Sequence, residues 1–184
     1  GERDDFGCPF APTNGLPCFY ETDYLTAIAT NELLGTPPDR PCYLQLDYTA
    51  PHSGGDGDAG QPPGDDCDNS ARPAPRHADA FNGAAVPTGP NFNEADVSDK
   101  PQAIQDQPLL DGAAIQNLTR RYRCRLESLL SVDEGVADVV AALREESALN
   151  DTYVIFTSDN GFFTGEHRVP GGKTRVYEPS STVP

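Results

Sequence analysis

The apolar positions of this sequence recur at helical spacing in two places. The first place lies between about residues 22 and 34, where Tyr24, Leu25, Ile28, Leu33 and Leu34 recur at roughly helical spacing. Thr22-Asp23 can cap a helix there, and Gly35 and the Pro37-Pro38 pair follow it. We predict a helix over 22–34, because Gly and Pro commonly end helices. The stronger pattern consists of Ile115, Leu118, Tyr122, Leu126, Leu129, Leu130, Val136, Val139, Val140 and Leu143. It predicts a long amphipathic helix, or two in succession.

Two short runs predict buried strands. Residues 42–48 are mostly apolar and follow a turn, and residues 152–157 are rich in β-branched and aromatic side chains, both of which are typical of interior strands. Strand, helix and strand in this order predict an α/β fold with buried parallel strands. Between them, residues 53–108 contain much Gly, Pro, Asp and Asn, so we expect a long polar loop region within the same domain.

The excess of acidic residues limits the classes of partner that this chain can bind. The chain has 29 Asp and Glu against 13 Lys and Arg, a formal net charge of −16. This charge repels phosphate backbones and anionic lipid, so we expect neither a nucleic-acid nor a membrane partner. No apolar run reaches the length of a membrane span or resembles the core of a signal peptide.

The chain contains no Met, opens with Gly1-Glu2-Arg3, and ends with Val183-Pro184 directly after a motif described below. Two interpretations are open. The chain is either a processed or trimmed product, or a piece cut at both ends from a larger domain. We favour the second interpretation, and we expect residues 1–184 to form part of a single catalytic domain.

Five cysteines and two glycosylation sequons bear on covalent structure. No pair of cysteines has the spacing of a zinc site. Cys8 and Cys18 could close a small disulfide loop, whereas Cys42 and Cys124 lie in apolar patterns and are predicted to be buried thiols. The two N-glycosylation sequons, each short enough to arise by chance, are Asn117-Leu118-Thr119 and Asn150-Asp151-Thr152.

Polar side chains follow both predicted strands. In open α/β sheets, ligands bind beyond the carboxyl ends of the strands. Asp159 and Asn160 supply hard oxygen ligands suited to Ca²⁺ or Mg²⁺, and His52 and Lys173 supply donors for an anion. Each feature alone has a plain explanation, since Asp-Asn-Gly is a common turn and most lysines are surface residues. Together they suit hydrolysis of an anionic ester, in which charge develops on oxygen.

Three segments closely resemble the sulfatase family. The first is Tyr153-Val154-Ile155-Phe156-Thr157-Ser158-Asp159-Asn160-Gly161-Phe162, followed by Gly165-Glu166-His167-Arg168, Gly172-Lys173 and Tyr177-Glu178-Pro179. The second is Leu44-Gln45-Leu46-Asp47-Tyr48-Thr49-Ala50-Pro51-His52. The third is Pro90-Asn91-Phe92-Asn93-Glu94-Ala95-Asp96-Val97-Ser98-Asp99-Lys100-Pro101, which is typical of arylsulfatases and N-acetylglucosamine-6-sulfatase relatives. The resemblance covers nearly the whole chain from about Tyr20.

The resemblance implies a fold and a set of roles. The fold is alkaline-phosphatase-like, with a mixed, largely parallel sheet flanked by helices, of which this chain would hold a part. Asp159 and Asn160 would bind the divalent cation, normally Ca²⁺ and less often Mg²⁺. His52 and Lys173 would hold the sulfate group and stabilise the leaving oxygen. His167 is a further candidate for substrate binding, although its role varies among relatives.

The resemblance fails at the nucleophile. The family uses a formylglycine made from the Cys of a Cys-x-Pro-Ser-Arg motif, and neither Cys8-Pro9-Phe10-Ala11 nor Cys67-Asp68-Asn69-Ser70-Ala71-Arg72 fits that motif. We therefore expect the formylglycine in an N-terminal segment outside this sequence, and we expect the isolated chain to be inactive.

The expected activity is release of sulfate from a small-molecule or carbohydrate sulfate ester, in a secreted, periplasmic or lysosomal protein. Two alternatives stay open. One is a phosphate or phosphonate monoester hydrolase of the same superfamily. The other is a non-catalytic, sulfatase-like binding protein.

Overall fold

The computed structural model describes residues 20–36, 40–53, 67 and 70–183. Helix accounts for about 42% of it. The α-helices are α1 (Glu21–Leu34), α2 (Gln102–Gln105), α3 (Gly112–Glu145) and α4 (Glu178–Ser181), and 3-10 turns lie at Pro75–His77 and Leu149–Asp151. The chain divides into two compact units: residues 1–82 with 124–153 form the first, and residues 83–123 with 154–184 form the second.

The two predicted helices are confirmed. Helix α1 begins at Glu21, so Tyr20 holds the N-cap position and the expected cap at Thr22-Asp23 lies inside the first turn. Helix α3 is one continuous helix of 34 residues. It begins where the Asp111 carboxylate accepts a hydrogen bond from the Ala114 backbone N–H at 2.8 Å, the usual way of satisfying a free N–H at a helix start.

The predicted α/β fold with a largely parallel sheet is wrong for this structure. The described residues contain no strand, and their one β-type pairing is an isolated bridge between Phe92 and Glu166. Residues 42–48 and 152–157 are unpaired, and Tyr43 and Tyr153 are 86% and 97% exposed. A strand exists only through hydrogen bonds to a neighbour. Apolar, β-branched residues favour strand formation, but they do not supply the partner.

In the first unit, α1 packs against the C-terminal part of α3. Leu33 of α1 is buried with Ala142 and Leu143 of α3. The Tyr48 hydroxyl lies 2.9 Å from Thr26 Oγ1, and a Cβ atom added at Gly135 of α3 would lie 2.5 Å from each of these oxygens. The absence of a side chain at Gly135 therefore leaves room for these two hydroxyl groups, because any side chain there would displace them.

Arg76 connects the same two helices through ion pairs. Its guanidinium donates to both oxygens of Asp23 at 2.7 and 2.8 Å and to Glu134 Oε2 at 2.6 Å. These bonds raise the pKa of Arg76. The Arg76 guanidinium, and to a smaller extent His77 at 3.1 Å, lower the pKa of the Glu134 carboxyl. The cluster is partly exposed, so its ion pairs add little to the free energy of unfolding. We infer that their main effect is to orient α1 on α3.

Cys67 and Cys124 form a disulfide between positions that are 57 apart in the sequence. The prediction of a buried thiol at Cys124 is therefore wrong, and so is that for Cys42, which is free but exposed. An apolar sequence context is shared by buried thiols and by buried disulfides, so it does not distinguish them. The possible Cys8–Cys18 disulfide lies outside the described residues.

In the second unit, a small core forms between segments distant in sequence. Val97, Ile104, Phe163 and Val169 are buried together, and Tyr177 packs against them. Two of these residues belong to the polar region predicted over 53–108. The described part of that region is irregular apart from short helical turns, but it is held in place by such buried apolar side chains.

The helices of the structure bear on the prediction that no segment of the chain spans a membrane. No α-helix in the described ranges combines the length and the apolar character that crossing a membrane requires.

Candidate functional site

The candidate metal ligands lie in a turn that begins at Ser158. The Ser158 hydroxyl donates a 2.9 Å hydrogen bond to the Asn160 carbonyl oxygen, which closes the turn. The Asn160 Nδ2 atom donates to the Gly161 carbonyl at 2.9 Å, so its Oδ1 atom is the one available to a cation. The Asp159 side chain is 82% exposed. The turn therefore presents one carboxylate and one amide oxygen.

Gly161 attaches this turn to α4. Its N–H donates to the Ser180 carbonyl at 3.0 Å. A Cβ atom at position 161 would lie 2.7 Å from the Thr182 carbonyl oxygen and closer still to that of Pro179. Only glycine allows this approach, because both obstructing atoms belong to the backbone.

In the second unit, the Asp159 carboxylate has the ammonium group of Lys173 as its neighbour. The Lys173 Nζ atom lies 4.0 Å from Asp159 Oδ2. A pair this long and this exposed adds little stability. The pair matters for its position, because the loop brings an ammonium group near the Asp159 carboxylate. The loop is held by a 3.0 Å hydrogen bond from the Phe163 N–H to the Gly172 carbonyl.

His167 lies in the same loop in a left-handed backbone conformation, with φ of 49°, and Arg168 follows with φ of 65°. Such conformations cost non-glycine residues about 1 kcal/mol or more, and tertiary contacts must hold them. The His167 Nδ1 atom lies 2.7 Å from Glu94 Oε2. Its ring packs on Tyr177 with centroids 4.9 Å apart. With a side chain only 12% exposed, His167 is an enclosed, carboxylate-paired imidazole.

Arg168 fastens this loop to the segment around Glu94. Its Nε atom donates to the Glu94 carbonyl at 2.8 Å, and its terminal nitrogens donate to the Ala95 and Gln107 carbonyls at 2.7 and 3.1 Å. Lys100 Nζ also lies 3.6 Å from Glu94 Oε1. Arg168 is therefore occupied with backbone oxygens, and Glu94 is the acceptor that orients His167.

The sequence motif 90–101 contains Glu94 but predicts no role for it. Its partner His167 lies 73 positions away, so no local spacing relates the two residues. Their meeting depends on the bridge between Phe92 and Glu166 and on the 2.8 Å hydrogen bond from the Asn93 N–H to the Gly165 carbonyl.

His52 belongs to the first unit, whereas Asp159, Asn160, His167 and Lys173 belong to the second. The imidazole of His52 is exposed, and its Nδ1 atom lies 2.7 Å from the Ser53 carbonyl. The His52 N–H donates to the Thr49 carbonyl at 2.8 Å, closing a turn. This turn presents the ring to solvent.

One further group of metal-type ligands is accounted for by the disulfide. Cys67 and Cys124 approach the buried Glu127 carboxylate, but their sulfurs are bonded to each other. The Glu127 Oε1 atom instead accepts a 3.2 Å hydrogen bond from the Phe81 N–H. We therefore assign these three residues a structural role and not a metal-binding one.

Comparison with known proteins identifies the family of the chain. The sulfatase family profile matches residues 7–184. The chain belongs to the sulfatase family. It is 37% identical over 185 residues to an arylsulfatase of Volvox carteri, which covers 95% of this chain and 28% of that protein. It is 30% identical over 169 residues to the N-acetylglucosamine-6-sulfatase of Bos taurus, covering 90% of this chain and 27% of that protein.

A third relative, a putative extracellular sulfatase of Caenorhabditis elegans, is 30% identical over 191 residues, covering 100% of this chain and 23% of that protein. The chain thus spans less than a third of the length of each of these relatives. No solved structure matches it significantly. Membership of the family rests on the profile and on these sulfatases.

Proposed function

We propose that this chain forms part of the metal- and sulfate-binding site of a sulfuric ester hydrolase. The observation that carries the proposal is the approach of Lys173 to the Asp159-Asn160 turn, at 4.0 Å, in a chain of the sulfatase family. An oxygen-donor pair beside an ammonium group suits an ester that carries negative charge on its oxygens.

The donor chemistry of the turn fits Ca²⁺. Carboxylate and amide oxygens are ligands of hard cations, and Ca²⁺ accepts six to eight of them in flexible geometry, whereas Mg²⁺ demands a near-ideal octahedron. Asp159 and Asn160 would supply two ligands, and the others would come from elsewhere in the protein. Bound there, Ca²⁺ would supply Lewis-acid polarisation of a sulfate oxygen.

Lys173 and His52 would bind the anionic group. The Lys173 ammonium is a compact charge on a flexible stem, suited to holding a sulfate oxygen and to offsetting charge that develops on the leaving oxygen. The exposed His52 ring carries an N–H group that can donate a hydrogen bond to a sulfate oxygen. His167 would act beside them as a substrate contact, oriented by Glu94 at 2.7 Å. The formylglycine expected of the family has no matching Cys-x-Pro-Ser-Arg motif in this sequence.

The proposed substrate is an aryl or carbohydrate sulfate ester. The names of the Volvox carteri and Bos taurus relatives support both classes. The proposed location is secreted, periplasmic or lysosomal. The Cys67–Cys124 disulfide favours an oxidising compartment, and the name of the Caenorhabditis elegans relative includes the word extracellular.

The proposal is tested on the protein that contains this chain, purified at full length. We expect turnover of 4-nitrophenyl sulfate that is lost on chelation and restored by Ca²⁺. Asp159→Asn should weaken Ca²⁺ binding, measured by calorimetry, by more than about 100-fold. Lys173→Met should leave Ca²⁺ binding intact and lower kcat by about 100- to 1,000-fold, the usual effect of removing one donor to a charged transition state.

Asp106→Asn is the matched control for the first variant. Asp106 is another exposed aspartate of the second unit, and its carboxylate accepts a hydrogen bond from Gln102 at 2.7 Å. This control should bind Ca²⁺ as the native protein does. Preference for 4-nitrophenyl phosphate would favour the phosphoryl hydrolase alternative. Ca²⁺ binding without turnover of either ester would favour a binding protein, and equal Ca²⁺ affinity in Asp159→Asn would refute the metal site.

A further inference from the structure

The two N-glycosylation sequons occupy different structural environments. Asn117 lies within α3, whereas Asn150 lies in the 3-10 turn Leu149–Asp151 that follows α3. A glycan attached at Asn-x-Thr is bulky and needs an acceptor on an accessible surface segment. The sequence alone ranks the two sites equally, so the structure decides between them.

The sequon at Asn117 is engaged by its helix. The Asn117 Oδ1 atom accepts a 3.1 Å hydrogen bond from Arg120. The Thr119 hydroxyl donates to the Ile115 carbonyl at 2.9 Å, and Leu118 between them is buried. The whole triplet is held in helical backbone by α3 on both sides, so modification there would require the helix to open.

The sequon at Asn150 is open to solvent. All three of its residues are exposed, and within the described part of the chain the Asn150 side chain forms no hydrogen bond. The backbone changes from the 3-10 turn to an extended conformation at Thr152, with φ of −119° and ψ of 131°. The Thr152 hydroxyl donates to the Ala148 carbonyl at 2.9 Å on the exposed side. The carboxamide can therefore receive a large substituent without displacing packed atoms.

The compartment is consistent with this modification. The Cys67–Cys124 disulfide is typical of proteins that pass through an oxidising compartment, where sugar transfer to asparagine also takes place. This observation is independent of the candidate metal turn, so the inference does not depend on the proposed hydrolysis.

We propose that Asn150 carries an N-linked glycan and that Asn117 does not. The donor is an oligosaccharide joined to a lipid through pyrophosphate. The Asn150 Nδ2 atom loses one proton and bonds to C1 of the first sugar, while the bond from C1 to the pyrophosphate oxygen breaks and the lipid pyrophosphate leaves. The step changes no oxidation state and requires no other reactant.

The test uses the full-length protein recovered from its own source, or secreted by eukaryotic cells. Glycans are removed by peptide N-glycosidase in ¹⁸O-labelled water, and peptides are analysed by mass spectrometry. We expect ¹⁸O-labelled aspartate at position 150 and unmodified asparagine at 117. Asn150→Gln and Thr152→Ala should each remove the glycan and increase electrophoretic mobility equally, whereas Asn117→Gln and Thr152→Ser should not change it.

Two results would overturn the proposal. One is unmodified asparagine at position 150 in protein that has passed through the secretory pathway. The other is label at position 117 in place of 150. Because Thr152→Ser keeps both the asparagine and the hydroxyl, its modification also separates a failure of folding in Thr152→Ala from loss of the acceptor site.

Discussion

The disulfide between Cys67 and Cys124 leads to the most quantitative prediction. We replace both cysteines by alanine, so that no free thiol remains. The bond closes a loop with a sequence separation of 57. The chain-entropy relation gives about 14 cal/mol/K for a loop of this size, which is about 4 kcal/mol of stability at 25 °C.

This loss should be large enough to measure without difficulty. For a chain of this size, about 4 kcal/mol corresponds to a fall in Tm of about 10 °C. The assay is thermal and urea unfolding followed by circular dichroism, with a non-reduced peptide map to show the Cys67–Cys124 linkage. Cys42→Ala is the matched control, because Cys42 is exposed and free, and it should leave the Tm unchanged.

Two results would refute this reasoning. If the double variant and Cys42→Ala had the same Tm, the bond would not stabilise the native protein. If the peptide map showed Cys67 linked to another cysteine, the assignment of partners would be wrong, whatever the Tm. A reducing agent should lower the Tm of the native protein more than that of the double variant, which distinguishes loss of the bond from poor packing of alanine.

Three further predictions concern single residues. Glu94→Gln removes a charge-assisted hydrogen bond to His167, worth about 1.5–3 kcal/mol; we expect a lower Tm and a higher KM for an aryl sulfate, and an unchanged KM would contradict the orienting role. Gly161→Ala should cost about 1–3 kcal/mol in urea unfolding, because its Cβ meets two backbone oxygens, and native-like stability would refute this packing. Arg76 lowers the pKa of the Glu134 carboxyl in the folded protein. The ionised carboxylate therefore stabilises the folded state at pH values above the ordinary pKa of Glu. This stabilisation is lost as the pH falls through the lower pKa that Glu134 has in the folded protein. In Glu134→Gln, the free energy of unfolding should fall less on acidification than in the native protein. An identical pH dependence in both proteins would contradict this role of Glu134.

Three residues of the candidate site could be proposed together from the sequence because they lie close to one another along the chain. Asp159 and Asn160 are adjacent, and Lys173 follows within one loop, so a single motif contains them. The partner of His167 was not found, because Glu94 is 73 positions away and only the pairing of two loops joins them. The disulfide partner of Cys124 was missed for the same reason, since Cys67 lies 57 positions earlier.

Local sequence determined the helices, because each helical hydrogen bond joins residues four apart and the apolar stripe repeats along the same segment. This is why α1 and α3 lie where the periodicity placed them. The apolar runs at 42–48 and 152–157 also carried a local preference, but a strand requires a partner from elsewhere, and the described residues provide none. Tertiary structure alone decided which extended segments pair, which cysteines bond and which carboxylate faces His167.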